Sequence, residues 1–219
     1  LEHASRTGRL PCVQALLSAG ANVNSRNKKG ETSLIKACNY GHVDCVRTLL
    51  AAHADILIVD HVMQNTALHR ACSGNQIATV DLLLTEGSRP RRTLLDLIRK
   101  SNRLGQTALH ITAAKGFAQC TKSILKTAAS FCGINKAALH TLTNHKGRTP
   151  FEEAKRKGHL EVMKILRIFE HEWSLTCQRQ RSPSTWTSEE VSRWIESLGF
   201  KNFAPAFQKH DISGQFLSS

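Results

Sequence analysis

The chain repeats itself, and this constrains its fold more than any other feature. ETSLIKACNYGHVDCVRTLL (31–50) aligns without gaps with NTALHRACSGNQIATVDLLL (65–84), QTALHITAAKGFAQCTKSIL (106–125) and RTPFEEAKRKGHLEVMKILR (148–167). Thr32, Thr66, Thr107 and Thr149 mark the four starts, and a fifth copy, cut at the front, is LEHASRTGRLPCVQALLSAGANVN (1–24). One column holds Leu1, Leu34, Leu68, Leu109 and Phe151, and a later one Leu16, Leu49, Leu83, Ile124 and Leu166. Between them, Ala4, Ala37, Ala71, Thr112 and Ala154 are small where two helices would approach. Such columns fit one helix–turn–helix unit, which can bury its faces only by stacking on copies of itself. Gly8, Gly41, Asn75, Gly116 and Gly158 share a column; Gly and Asn suit the left-handed position that ends a helix.

Aromatics are 5% of the residues and hydrophobics 41%, so the core must rest on Leu, Ile, Val and Ala. No apolar run approaches the roughly 18 residues of a membrane span, and no signal peptide is visible. The seven cysteines, Cys12, Cys38, Cys45, Cys72, Cys120, Cys132 and Cys177, are odd in number, dispersed and never spaced as CxxC. That pattern predicts reduced thiols and a cytoplasmic location, with the nucleus also open. The net charge of +13, from 30 Lys and Arg against 17 Asp and Glu, fits nucleic acid, acidic proteins or anionic lipid without choosing among them.

Cys38, His42 and Cys45 have the i, i+4, i+7 spacing of one helix face, and a Cys/His/Cys face could hold zinc. The columns do not preserve the set: Cys38 aligns with Ser5, Cys72, Ala113 and Lys155, and His42 with Arg9, Gln76, Phe117 and His159. Gly41 also interrupts the helix. Packing thiols are the favoured reading, with no metal. His69 and His110 are read as stabilising their turn through hydrogen bonds. No GxSxG, HExxH, Walker A or kinase glycine-loop string is present, and Glu152 and Glu153 read as helix-start charges. The expectation is no enzyme and no cofactor within these residues.

TSLIKAC, TALHRAC, TALHITA and TPFEEAK resemble the ankyrin repeat, with its T-P-L-H-x-A signature and period of ~33 residues; LLSAGANVN (16–24) resembles its ending. The resemblance covers residues 1–172. It implies an all-α solenoid of about five repeats, starting near 1, 30, 64, 105 and 147, with hairpin-like loops on one side. The third and fourth of these units are long, which places insertions near 88–101 and 127–143. Partners of such arrays lie along the concave face and loop tips. That implies partner-binding roles for Lys28, Glu31, Asn39, Tyr40, Asn65, Ser73, Arg103, Gln106, Lys115, His145, Arg148, Arg156 and Lys157. The set is basic with one acid, so acidic or phosphorylated protein segments are the expected clients. Tyr40, the single tyrosine, is the expected aromatic anchor. The resemblance also makes Asn24 a candidate for hydroxylation, although Asn22 stands where the family carries an acid. The first insertion carries a basic patch, Arg89, Arg91, Arg92, Arg99 and Lys100, with Leu94, Leu95 and Ile98 forming a short amphipathic turn. RNA or anionic lipid is the alternative partner there, but no aromatic stacking platform accompanies it.

Residues 173–185 read as a polar linker, in which Ser182, following Arg179 and Arg181, is a candidate phosphorylation site. WTSEEVSRWIESLGFKNFAPAFQKHDISGQFL (186–217) resembles the first half of a SAM (sterile alpha motif) domain, so 186–219 is expected to be a partial one. The family's long C-terminal helix, one of its two self-association surfaces, would follow Ser219, and both chain ends are expected to be cuts in a longer protein. The favoured function is a non-catalytic scaffold or adaptor: the groove binds a client and the SAM domain oligomerises, giving avidity. One alternative is the substrate-recruiting arm of a signalling enzyme, a kinase or a poly-ADP-ribosyl transferase of the tankyrase kind. Another is RNA binding through the basic insertion.

Overall fold

The computed structural model describes residues 1–85, 91–129, 139–180, 187–189 and 191–192, and all regular structure among them is helical. Two compact units divide the chain, Leu1–His171 and Glu172–Ser219. In chain order the helices are α1 (Glu2–Arg6), α2 (Leu10–Ser18), α3 (Ser33–Tyr40), α4 (Val43–Ala51), α5 (Ala67–Ser73), α6 (Ile77–Thr85), α7 (Arg91–Arg99), α8 (Ala108–Lys115), α9 (Ala118–Ala129), α10 (Pro150–Lys157) and α11 (Leu160–Gln180). The first helices of the repeats, α1, α3, α5, α8 and α10, stack in one layer, and α2, α4, α6 and α9 stack in a second.

Each repeat starts and stops for local reasons. Thr32 accepts from the Ile35 amide, and Thr66, Thr107 and Thr149 form capping boxes with His69, His110 and Glu152, which satisfies amides a helix start would otherwise strand. The turn between paired helices is left-handed at Gly8, Gly41, Asn75, Gly116 and Gly158, with φ of 55° to 76°, as the glycine column predicts. The small column Ala37, Ala71, Thr112 and Ala154 is fully buried, as are Leu34, Leu68 and Leu109. Stacking is what buries the later leucines: Leu49 is 0% exposed with repeat one against it, whereas Leu16 is 38% exposed.

The first insertion departs from expectation. In place of a short turn through Leu94, Leu95 and Ile98 it forms the helix α7, packed against α8 and α9. Leu97 and Ile98 are fully buried, while Leu94 and Leu95 are half-buried. Leu97 stands ten residues before Thr107, as Ile56 stands before Thr66 and Leu139 before Thr149. All three are buried, so each insertion lengthens the connection yet still delivers the same core residue. The stretch expected to be a linker differs as well, because α11 continues as helix to Gln180. Ser182 and most of 186–219 lie outside the described residues; Val191 and Ser192, in the second unit, are buried. Among the described residues no helix is long and apolar enough to cross a membrane.

Candidate functional site: the loop tips and first-helix face

Each loop before a first helix is organised by one side chain. Asn27 Oδ1 accepts from the Lys29 and Glu31 amides at 2.9 and 3.0 Å. Asn102 does the same for Leu104 and Gln106 at 2.9 and 3.0 Å, and Asn144 for Lys146 and Arg148 at 2.9 and 3.2 Å. These asparagines stand five residues before their threonine, a column that the sequence reading passed over although it was visible there. In repeat three, which is one residue longer here, Asp60 takes the place and accepts from the Met63 amide at 2.8 Å.

The tips then bond to one another. The His61 amide donates to the Lys29 carbonyl at 2.8 Å, Arg103 to Met63 at 2.8 Å, and His145 to Leu104 at 3.0 Å. Arg26 adds a guanidinium bond to the Val59 carbonyl. These bonds join four tips into one row.

Acids in this region serve the fold. Asp60 is fully buried and accepts from Arg70 Nε and Nη2 at 3.1 and 2.8 Å. Burial alone would raise its pKa, but the Met63 amide and Arg70 outweigh that and hold it below the usual range. Glu31 is buried against Lys36 at 2.6 Å and Asn27 at 3.1 Å; its pKa is lowered because those bonds outweigh desolvation. Glu153 is held down likewise against its own burial by Arg156, at 3.0 Å, and Asn144.

These pairings sort the residues named from sequence. Two depart from the surface positions expected of them, Glu31 and Asn65. Both are buried, and Asn65 Oδ1 accepts from Asn102 Nδ2 at 3.1 Å, binding one repeat to the next. Gln106 and Arg148 lend backbone carbonyls to His69 and His110, and Arg148 also lies 3.7 Å from Glu153. Arg156 is exposed but paired with Glu153. Asn39 and Ser73 are half-buried; Lys115 is exposed and reaches the Ser73 carbonyl and hydroxyl at 2.7 and 2.9 Å. Lys28, Arg103, His145 and Lys157 are exposed, and Tyr40 is 49% exposed. In the insertion, Arg92 and Lys100 are exposed and Arg99 is half-buried; Arg89 and the Arg91 side chain lie outside the described residues. Asn24 is half-buried, with Oδ1 accepting from the Asp55 amide at 2.8 Å.

Cys38 and Cys45 are buried in different helices, and burial raises both thiols, Cys38 far above the ordinary range. His42 instead turns toward the preceding repeat, with Nε2 bonded to the Arg6 carbonyl at 3.0 Å and its ring over Gly8. His159 does the same with Ala114, at 3.1 Å, and Gly116. The glycine column therefore serves twice, once for φ and once for this close approach.

A stack of paired helices with a continuous loop row is an interaction surface by construction. The family model for ankyrin repeats, in three copies, matches residues 1–93, and that for the SAM domain (sterile alpha motif) matches residues 183–219. The chain thus carries ankyrin repeats and a SAM segment, and both modules indicate protein interaction. It is 31% identical over 153 residues to the E3 ubiquitin-protein ligase XBAT33 of Arabidopsis thaliana, covering 61% of this chain and 30% of that protein. Ankyrin repeat domain-containing protein 63 of Homo sapiens is 33% identical over 112 residues, covering 51% and 28%. Leucine-rich repeat serine/threonine-protein kinase 1 of Caenorhabditis elegans is 30% identical over 157 residues, covering 67% and 6%. The chain spans about a third or less of the length of these relatives.

Proposed function

We propose that the chain acts as a non-catalytic adaptor whose first-helix face receives an acidic or phosphorylated protein segment, while its SAM domain clusters the complex. One observation carries this reading. Tyr40, Lys115 and Lys157 occupy a single repeat column and are all exposed, whereas Glu31, Asp60 and Glu153 are buried and already paired. Those three acids are thereby neutralised, which leaves an aromatic anchor with two lysines further along the same column. The cytoplasm or nucleus suits such a role and the free cysteines.

Selection from a defined library of acidic and phosphorylated peptides tests this proposal. Tyr40→Ala, and Lys115→Glu with Lys157→Glu, are each expected to weaken the selected peptides by about tenfold or more. Unchanged binding by both variants would remove the reading.

The relatives favour a second version, in which this chain recruits substrates for a catalytic domain in a longer protein, as their names include ubiquitin ligases and a kinase. RNA binding through α7 is the weaker third reading, because Arg99 is half-buried and Asp96 is exposed beside Arg92.

A further inference from the structure

The four loop tips carry one sign of exposed charge. Within 25–31, 60–65, 101–106 and 144–148 the only carboxylates are Glu31 and Asp60, and both are buried in ion pairs. Lys28 and Lys29 are exposed at one end of the row, and His145 and Lys146 at the other. Between them lie two exposed apolar side chains, Val62 at 51% and Leu104 at 48%. They flank a single backbone bond, from the Arg103 amide to the Met63 carbonyl, and Arg103 Nη1 also donates to the Val62 carbonyl at 3.2 Å. Val62 and Leu104 are therefore the chain neighbours of two bonded residues, on a braced support and not on independent loops.

We propose that this row is a second reading surface, which takes an extended acidic protein segment carrying one apolar side chain between its acids. The apolar residue would rest across Val62 and Leu104, and the flanking carboxylates would meet the cations at either end. Charge complementarity selects the acids, and the paired apolar side chains select a protein over a polyphosphate, which offers phosphates but no aliphatic anchor. The inference rests on the reading of the chain as a protein-binding module, but it places recognition on the tips and not at Tyr40.

Fluorescence anisotropy on the full chain tests it, with a labelled peptide of one leucine between two runs of glutamate. Its leucine-to-serine analogue and single-stranded polyuridylate serve as comparisons. The leucine peptide is expected to bind about tenfold or more tighter than the serine analogue, the scale of one buried leucine. Val62→Ser with Leu104→Ser should make the two peptides equal, and Lys28→Glu with Lys146→Glu should weaken both. Lys126→Glu, on the exposed side of α9, should leave both unchanged. These are surface residues, and a thermal melt of each variant confirms that the stack is intact. No binding by the wild-type chain, equal binding of the two peptides to it, or tighter binding of polyuridylate that ignores Val62 and Leu104 would each overturn the proposal. If it falls while Tyr40→Ala still releases the library peptides, the adaptor reading survives; if Tyr40→Ala has no effect on those, the groove reading falls on its own.

Discussion

His69 donates from Nε2 to the Gln106 carbonyl at 3.0 Å while its Nδ1 accepts from the Thr66 amide at 3.3 Å. One neutral ring thus caps its own helix and holds the next repeat. His110 repeats the arrangement with Thr107 at 3.2 Å and Arg148 at 3.0 Å. Glu152, in the same column, turns back only to Thr149.

Protonation would cost His69 its acceptor and bury a charge. Burial holds its pKa at about 4 against an ordinary 6.5, although the Gln106 carbonyl pulls it upward. Above pH 6.5 neither the folded nor the unfolded state is protonated there. As pH falls from 6.5 to about 4 the unfolded chain binds the proton first, so about 3 kcal/mol of stability is lost from this group. Glu31, Asp60 and Glu153, held low in the fold, extend the loss below the usual carboxylate range. Denaturant melts across this window should show the decline, and His69→Gln should flatten its upper part while lowering stability at neutral pH by about 1–2 kcal/mol.

Gly105 and Gly147 have the same left-handed backbone, at φ 72° and 67°. A Cβ on Gly105 would lie 2.7 Å from the His145 amide nitrogen, whereas one on Gly147 meets nothing within 4 Å. Gly147→Ala should cost about 1–2 kcal/mol from backbone strain alone. Gly105→Ala should cost about 1–3 kcal/mol more, because the neighbouring tip must move. Equal losses in paired melts would mean that the tips are not braced together.

Besides Asn75, two residues adopt the left-handed conformation in columns where other repeats use glycine. Gln64, at φ 57°, matches Gly30, Gly105 and Gly147, and His53, at φ 60°, matches Gly20. Both are exposed. Gln64→Gly and His53→Gly should each raise stability by about 0.5–1 kcal/mol, the strain relieved less the added freedom of the unfolded chain, read as an increase in Tm.

The insertion helix can be tested through its two kinds of leucine. Leu97 is fully buried and Leu94 half-buried. Leu97→Ala should cost about 2–4 kcal/mol and Leu94→Ala about 1 kcal/mol. The reverse order in denaturant melts would place the apolar face of α7 elsewhere.

The architecture was legible because a repeat shows each structural role several times. Five copies made the left-handed position at Gly41 and Asn75 readable, and separated Cys38 and His42 from any ligand set. The site was harder to read. Glu31 and Asn65 look like surface polar residues one at a time, and their burial depends on Lys36 and Asn102, one of them in another repeat. The asparagine column at 27, 102 and 144 was visible, yet Asp60 broke both its identity and its spacing. In the insertions the anchoring leucines Leu97 and Leu139 keep their distance from the threonine that follows, a register that alignment from the preceding helix conceals. Net charge showed that the chain is basic but not that its acids are withdrawn into ion pairs.

The most direct measurement is photocrosslinking from benzoylphenylalanine placed at position 40, with position 126 on the exposed side of α9 as the control. Position 40 should capture a protein partner through an acidic or phosphorylated segment, with capture lost when Lys115→Glu and Lys157→Glu are added, while position 126 captures none of it. Equal capture from both positions, or capture that ignores the two lysines, would contradict the claim that the first-helix face is where this protein reads its partner.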